Sequence, residues 1–250
     1  MSPAFWTHPE LIGFPVFNGY RIAQFHVGAA PLTPNVEVDF AHGLGFYTIA
    51  PMIPAIVLAA GKSSRMGRSK AALPLAGGDT FITRIVRTLK NASVEDVVVV
   101  VGHDAKAVVD AFAASDLEAR FVENPDYEQG QLSSLLAGLR VVDRPGVVAA
   151  LLTLVDVPLV GSATVRAVVE RYQATRAPIV RPVRGGQHGH PVLIDRSLFD
   201  AIRRADPAVG AKDVIRANVS AAGDVAVDDD GAFADADTPE DYERLLDRPI

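Results

Sequence analysis

From residue 52 onward, short aliphatic runs alternate with segments whose apolar residues recur at helical spacing. Few architectures accept that rhythm other than βα units building a parallel sheet. Residues 55–60, 97–101, 120–122 and 147–155 read as strands. Between them, Phe81, Ile82, Ile85, Val86 and Leu89 share one helical face, as do Ala105, Val108, Val109 and Phe112 behind Asp104, a residue type suited to cap that helix. Leu132, Leu135, Leu136 and Leu139 repeat the i, i+3, i+4, i+7 spacing, and Val165, Val168, Val169 and Tyr172 repeat it again. The expectation is an α/β fold with buried strands between amphipathic helices.

After Arg176 the rhythm weakens. Residues 178–183 and 190–194 read as strands flanking the turn at Arg184-Gly185-Gly186, with short helices around Leu198 and Val214. We read this stretch as a small, mixed, substrate-facing lobe. The final helix announces its own start: Thr238 can cap it, Pro239 suits its first position, and Glu240 and Asp241 favour the positive end of its dipole. Its inward residues are expected to be Tyr242, Leu245 and Leu246.

Residues 1–51 differ from everything after them. They hold scattered aromatics, prolines and only four charged residues, with no sustained period of either kind. Three readings stay open: a docked irregular extension, a disordered tail, or upstream sequence ahead of a true start at Met52. The expected division is therefore 1–51 as an extension and 52–250 as the working domain. No charged segment followed by a continuous apolar run marks a secretory signal. The uncharged stretch 43–60 is the one tempting membrane span, but Gly45, Pro51 and Pro54 interrupt it and its end reads better as a buried strand. A cytoplasmic protein without membrane contact is expected, and the absence of cysteine, which removes disulfides, thiolate zinc sites and cysteine nucleophiles, suits that compartment.

The densest chemical signal is Leu58-Ala59-Ala60-Gly61-Lys62-Ser63-Ser64-Arg65-Met66-Gly67-Arg68-Ser69-Lys70, a strand running into a loop with four cations and no acid. In a chain of net charge −6 such a concentration is improbable as decoration, and the same net charge argues against sequence-independent nucleic-acid binding. Ala59, Ala60 and Gly61 are small enough for backbone amides to approach a ligand, Gly67 permits a turn with unusual dihedrals, and Arg65 and Lys70 can neutralise a polyphosphate. The loop is not a P-loop, because Ile56 stands where that motif needs glycine, and there is no G-x-G-x-x-G. Asp156 follows the apolar run 147–155 directly and so belongs at a strand's carboxyl end, whereas Asp237 stands just ahead of the last helix. His188 and His190 lack a nearby third ligand and read as loop residues. Asp228-Asp229-Asp230-Gly231 reads as a solvated turn.

The loop resembles the signature L-A-[AG]-G-x-S-x-R-M-G-x-x-K of the GT-A-like nucleotidyltransferases of the MobA-like, molybdenum cofactor cytidylyltransferase family, matching at Leu58, Ala59, Ala60, Gly61, Ser63, Arg65, Met66, Gly67 and Lys70. The likeness continues through Leu73-Pro74-Leu75, Asn124-Pro125-Asp126-Tyr127, Gly130, Ser133-Ser134, Gly138-Leu139, Asp156-Val157-Pro158, Gly189-His190-Pro191-Val192 and Asp237-Thr238-Pro239-Glu240-Asp241. It spans most of 52–246 and none of 1–51. The resemblance implies a Rossmann-like GT-A fold with a mostly parallel mixed sheet flanked by helices. It implies nucleotide contacts from Leu58, Ala59, Ala60, Gly61, Lys70, Asn124, Ser133 and Ser134, with Arg65, Lys70 and Asp156 in catalysis. Asp156 and Asp237 become ligands of Mg2+, which takes one or two carboxylates and completes its shell with substrate phosphates.

The implied substrates are CTP, or GTP in related enzymes, and the phosphate of molybdopterin. Ala60 favours CTP, since guanylyl-transferring relatives typically carry glycine there. A molybdoenzyme or a cofactor-insertion chaperone is the implied recipient of the product. A guanylyltransferase of the same fold, a cytidylyltransferase for another small phosphate, and a non-catalytic nucleotide-binding module are the competing readings.

Overall fold

The computed structural model describes residues 51–247 and, ahead of them, four short strands: β1 (Val16–Phe17), β2 (Tyr20–Gln24), β3 (Val36–Asp39) and β4 (Phe46–Ile49). β1 pairs antiparallel with β2 and β3 with β4. The sequence reading assigned residues 1–51 no fold, and the rest of that segment lies outside the described residues.

The centre of the sheet is β5 (Ala55–Ala59), β6 (Val97–Val101), β7 (Arg120–Glu123) and β8 (Ala149–Leu154), ordered β7-β6-β5-β8 and parallel throughout, with β2 antiparallel on the outer edge of β7. Every residue of β5 and β6 is buried. Strands covered on both faces need apolar residues at every position, which is why they read as unbroken aliphatic runs. Alternation still divides them: Ala55, Val57 and Ala59 enter one core with Ile85, Phe112 and Val168, while Ile56, Leu58 and Ala60 enter the other with Leu132, Leu135 and Leu139.

Helices α1 (Phe81–Asn91), α2 (Ala105–Ala113), α3 (Gln131–Val142) and α4 (Ser162–Thr175) are the four that the periodicity predicts. α3 lies very close to the sheet because residue 138 is glycine; a Cβ there would sit 2.5 Å from Ile56 Cγ2. α1 starts in a reciprocal capping box between Thr80 and Thr83. Asp104 does stand before α2, but its backbone is left-handed (φ 55°) and its carboxylate makes no capping hydrogen bond, so that expected cap is absent.

The lobe after Arg176 extends the same sheet. β9 (Ile179–Arg184), β10 (Gln187–His188), β11 (Val192–Asp195) and β12 (Asp224–Ala226) follow β8 in the order β8-β11-β9, with β11 antiparallel to both neighbours and β12 parallel to β9. The short helices α5 (Phe199–Arg203) and α6 (Lys212–Ala217) stand near the expected Leu198 and Val214. α7 (Pro239–Leu246) begins as expected, with a capping box between Thr238 and Asp241. Leu245 is buried and the Tyr242 hydroxyl donates to Pro74 O at 2.7 Å. Leu246 is 41% exposed, contrary to expectation: as the last helical residue it lies beyond the cluster of Leu73, Leu75, Phe81 and Ala236 that covers Leu245. Among the described residues no helix is long and apolar enough to cross a membrane, and the end of the stretch 43–60 is the buried strand β5.

The chain steps outward from β5 through β6 to β7 and then returns to place β8 on the other side of β5. The carboxyl ends of β5 and β8 therefore flank a topological switch point, the place where open α/β sheets bind ligands.

Candidate active site

Beyond β5 the backbone takes positive φ at Ser63 (49°) and at Gly67 (65°). Glycine adopts that conformation freely; a serine needs to be held. Ser63 is held from both sides, its carbonyl accepting from Met66 N–H at 2.8 Å and its hydroxyl from Lys70 N–H at 3.2 Å. The closed loop delivers Lys70 into the protein, where its side chain is only 10% exposed.

Its ammonium donates to Asp237 Oδ1 at 2.7 Å and lies 3.6 Å from Asp156 Oδ2, while Arg65 donates to the second Asp237 oxygen at 3.0 Å. Asp156 is placed by β8, with Val155 N–H donating to Leu58 O at 3.1 Å just past the paired residues. Ala236 N–H donates to Asp156 O at 2.8 Å and so ties the two carboxylate-bearing segments together. Arg65, Lys70, Asp156 and Asp237, singled out separately in the sequence, thus form one cluster.

The two carboxylates are electrostatically unlike. Burial pushes the Asp156 carboxyl above its ordinary value and nearby Asp237 adds to that, with Lys70 opposing. Asp237 shifts downward, because the Lys70 hydrogen bond favours its charged form and Arg65 reinforces the effect. Asp156 Oδ1 is buried without a hydrogen-bond partner. Such an acceptor is costly unless a cation or water completes it. Two carboxylates with one uncommitted oxygen suit a hard divalent cation, provided phosphates supply the remaining ligands. That proviso matters, since no group of three or more acidic or histidine side chains among the described residues could hold a metal unaided.

The cluster forms one end of an open cleft of about 310 Å³, together with Ser63 and Ser64. The other end carries no charged side chain and is lined by Leu58, Ala60, Gly61, Tyr127, Gln131 and Ser134. Of the eight residues expected to touch nucleotide, five line the cleft: Leu58, Ala60, Gly61 and Ser134 at this end and Lys70 at the other. Ala59, Asn124 and Ser133 do not. Ala59 points to the opposite face of β5, into the core beneath α1 and α2. Asn124, 1% exposed, donates its amide to the Ser133 and Ser134 hydroxyls at 2.9 and 3.0 Å and accepts from Asp126 N–H at 3.0 Å, so it shapes the turn into α3. The Ser133 hydroxyl is occupied with the main-chain carbonyls of Gly130 and Asp126.

Tyr127, Gln131 and Ser64 line the cleft without having been assigned a role from sequence. Tyr127 stands inside a motif already quoted, but a lone aromatic in an apolar chain reads first as core. His190 is tucked against Leu152 O (Nδ1 at 3.4 Å), and burial holds its imidazole below the ordinary value; His188 is exposed and, against the expectation of a loop residue, ends strand β10. The triple aspartate is only partly the solvated turn expected of it. Asp228 and Asp230 are exposed, but the Asp229 carboxylate accepts from Gly161 N–H (2.9 Å), the Thr164 hydroxyl (2.5 Å) and Gly231 N–H (2.9 Å). It serves the start of α4 from 65 positions away, which no local pattern could announce.

Comparison with known proteins agrees with this arrangement. Residues 55–222 match the family described as the MobA-like NTP transferase domain. The chain is 30% identical over 212 residues to nicotine blue oxidoreductase of Paenarthrobacter nicotinovorans, covering 80% of this chain and 98% of that protein. It is 27% identical over 191 residues to molybdenum cofactor cytidylyltransferase of Escherichia coli K12, covering 76% and 93%. A shorter match, 42% over 100 residues, links it to the bifunctional IPC transferase and DIPP synthase of Rubrobacter xylanophilus and spans 39% of this chain but only 23% of that protein. Among solved structures, Rv0371c of Mycobacterium tuberculosis H37Rv superposes with a TM-score of 0.67 at 30% identity, covering 80% of this chain and all of the other. A manganese complex of that protein superposes at 0.64 and 28%.

Proposed function

Because the chain belongs to the MobA-like NTP transferase family, we propose that it moves a nucleotidyl group, CMP from CTP, onto the phosphate of a small acceptor, with molybdopterin the first choice, and releases pyrophosphate. The observation that carries this reading is the convergence of Lys70, Arg65, Asp156 and Asp237 at the β5/β8 switch point, with one Asp156 oxygen left unsatisfied. The likeness to the Escherichia coli cytidylyltransferase, over 76% of this chain and 93% of that protein, supports the choice of substrates.

In the reaction an oxygen of the acceptor phosphate forms a bond to the α-phosphorus of the triphosphate, and the bond from that phosphorus to the β-phosphate bridge breaks. A phosphate monoester is already largely ionised at neutral pH, so no general base is needed to unmask the nucleophile. The protein's task is positioning and charge neutralisation. Lys70, held at a fixed point by two carboxylates, faces the phosphates, and Arg65 meets the charge that gathers on the departing pyrophosphate. Mg2+ held by Asp156 and Asp237 would supply further charge neutralisation when bound. The uncharged end of the cleft receives the nucleoside, with Gly61 letting the backbone come close and Ser134 and Gln131 offering hydrogen bonds. A cytoplasmic location fits these substrates.

The test is pyrophosphate release with each of the four nucleoside triphosphates, magnesium and candidate phosphate acceptors. Release with CTP and molybdopterin, well above that with GTP, is the expected result. Better use of GTP moves the protein to the guanylyl branch. Binding of nucleotide without any release leaves a non-catalytic module, and oxidation or reduction of a dye without pyrophosphate places it with its Paenarthrobacter relative.

A further inference from the structure

One wall of the uncharged end of the cleft is built where three segments of the chain meet. Tyr127 sits on Gly102, and a Cβ on Gly102 would lie 2.7 Å from Tyr127 Cβ, 2.9 Å from Tyr127 Cγ and 3.0 Å from Ala60 Cβ. One point thus touches the root of the tyrosine, the methyl of Ala60 and the turn after β6. The tyrosine ring meets His103, with centroids 5.8 Å apart, and Lys62 Nζ stands 6.0 Å above it. Lys62 is itself held by Glu128 at 2.5 Å, and that pairing raises the lysine pKa and lowers that of the glutamate. His103 N–H donates to Ala60 O at 3.1 Å, which closes the ring of contacts. Three separate segments, the loops after β5 and β6 and the turn Tyr127–Gln129, meet around one aromatic side chain on the cleft.

We infer that Tyr127, braced by Ala60, Gly102 and the Lys62–Glu128 pair, is the residue that restricts the nucleobase to a single ring. The inference rests on the nucleotidyl-transfer reading and goes beyond it by assigning the selector. A flat, uncharged hydrogen-bonding group fits this end, where every lining group is apolar, backbone or neutral polar, and an aromatic wall favours a flat partner. On this inference the Tyr127 ring, which lines the cleft, takes the space that the second ring of a purine would need. A glycine at 60 would remove the methyl beside the root of Tyr127 and let the ring settle back, so residue 60 acts on base choice through Tyr127.

The experiment measures kcat/KM for CTP and for GTP, from pyrophosphate release, in the full chain and in Tyr127→Ala, Tyr127→Phe and Gly102→Ala. Dissociation constants of the two triphosphates in manganese are measured in parallel. Tyr127→Ala should lower the CTP-to-GTP ratio about tenfold or more, the scale on which pocket walls discriminate, while Tyr127→Phe keeps it within about threefold because the ring is retained. Gly102→Ala, whose methyl would press on Tyr127 Cβ and Cγ and on Ala60, should shift the ring and reduce binding of both triphosphates, GTP more than CTP. If Tyr127→Ala does not fold, Lys62→Ala, which only unpins the ring, must still lower the ratio by about twofold to threefold. A ratio unchanged in Tyr127→Ala, or in Lys62→Ala where that variant stands in, overturns the inference, as does an equal loss in Tyr127→Phe or a parent chain that prefers GTP. Absence of release with any triphosphate overturns the transferase reading instead, and the dissociation constants then decide whether Tyr127 still selects the base.

Discussion

Lys70 stands between two carboxylates that reach it by different routes. Asp156 is carried there by the end of a central strand whose residues are buried and whose neighbours are fixed by the sheet ladder. Asp237 arrives on an irregular segment set by distant contacts: Asp229 anchored at Gly161 and Thr164, Ala232 O accepting from His190 N–H at 2.9 Å, and Ala236 N–H donating to Asp156 O. The first position is guaranteed by local sequence, the second by tertiary structure. The difference separates what each carboxylate does: Asp156 has a buried, under-partnered charge that costs the metal-free fold something, whereas Asp237 is a bonded partner that the fold uses.

Opposite responses to the same substitution follow from that contrast. Asp156→Asn should lower turnover by about a hundredfold or more, since each ~1.4 kcal/mol of lost transition-state stabilisation is a factor of ten. Its thermal stability without ligand at pH 7 should be equal to or above that of the parent. The sign follows from linkage: a carboxyl whose folded pKa is raised favours folding at low pH, and that contribution is lost as pH rises through the folded value. Asp237→Asn should also impair turnover, but it should destabilise the metal-free chain by about 1–3 kcal/mol, because buried Lys70 loses the negative charge of its hydrogen-bonded partner. Denaturant unfolding and pyrophosphate release on both variants check the pair; equal stability changes in the two would erase the distinction.

Removing the anchor rather than the carboxylate is a milder perturbation. Asp229→Ala should cost about 1–2 kcal/mol, the size of a lost helix-start contact. It should reduce turnover severalfold while leaving binding of metal-free CTP nearly unchanged. A large loss of nucleotide affinity would show that the segment serves the base end of the cleft instead.

The pH dependence of stability is a smaller effect with a definite sign. Asp237, whose folded pKa is lowered chiefly by Lys70, contributes stability above the usual carboxylate value of about 3.9, lost as pH falls through its folded value. The acid limb of metal-free unfolding should flatten in Asp237→Asn and not in Asp156→Asn. The smallest expected change comes from deleting residues 1–51. We propose that 52–250 is the working domain, since the family match and the residues lining the cleft all lie beyond Met52. A chain starting at Met52 should stay soluble and active, and loss of either would show that the antiparallel pairing of β2 with β7 is needed.

The same contrast explains what could be read in advance. β5, β6 and β8, the four long helices and the strand-end position of Asp156 follow from apolar periodicity, because burial on both faces of a parallel sheet leaves a direct imprint on sequence. The cation loop was legible because charge and small residues are concentrated within 58–70. Of the acids that answer it, Asp237 was named as a metal ligand through the family resemblance but not as a partner of Lys70 and Arg65, and Glu128 was not named, since both come from elsewhere in the chain. Asp229 looked like a surface turn for the same reason: its partners are non-local. Asn124 and Ser133 were placed in the right neighbourhood through family resemblance, but only coordinates show that their polar groups are spent on each other and on the turn. Tyr127 was quoted within a motif but given no role of its own, because an aromatic braced by a glycine of another segment has no local signature.

The most direct test of the central claim needs no acceptor. Manganese binding in the presence of CTP, followed by loss of the free-ion paramagnetic resonance signal, should be tight in the parent chain. It should weaken by about tenfold or more in Asp156→Asn, because the uncommitted carboxylate oxygen at the switch point loses its charge. Unchanged manganese affinity in a folded Asp156→Asn protein would contradict the account, and would mean that Asp156 does not hold the metal of a nucleotidyl transfer.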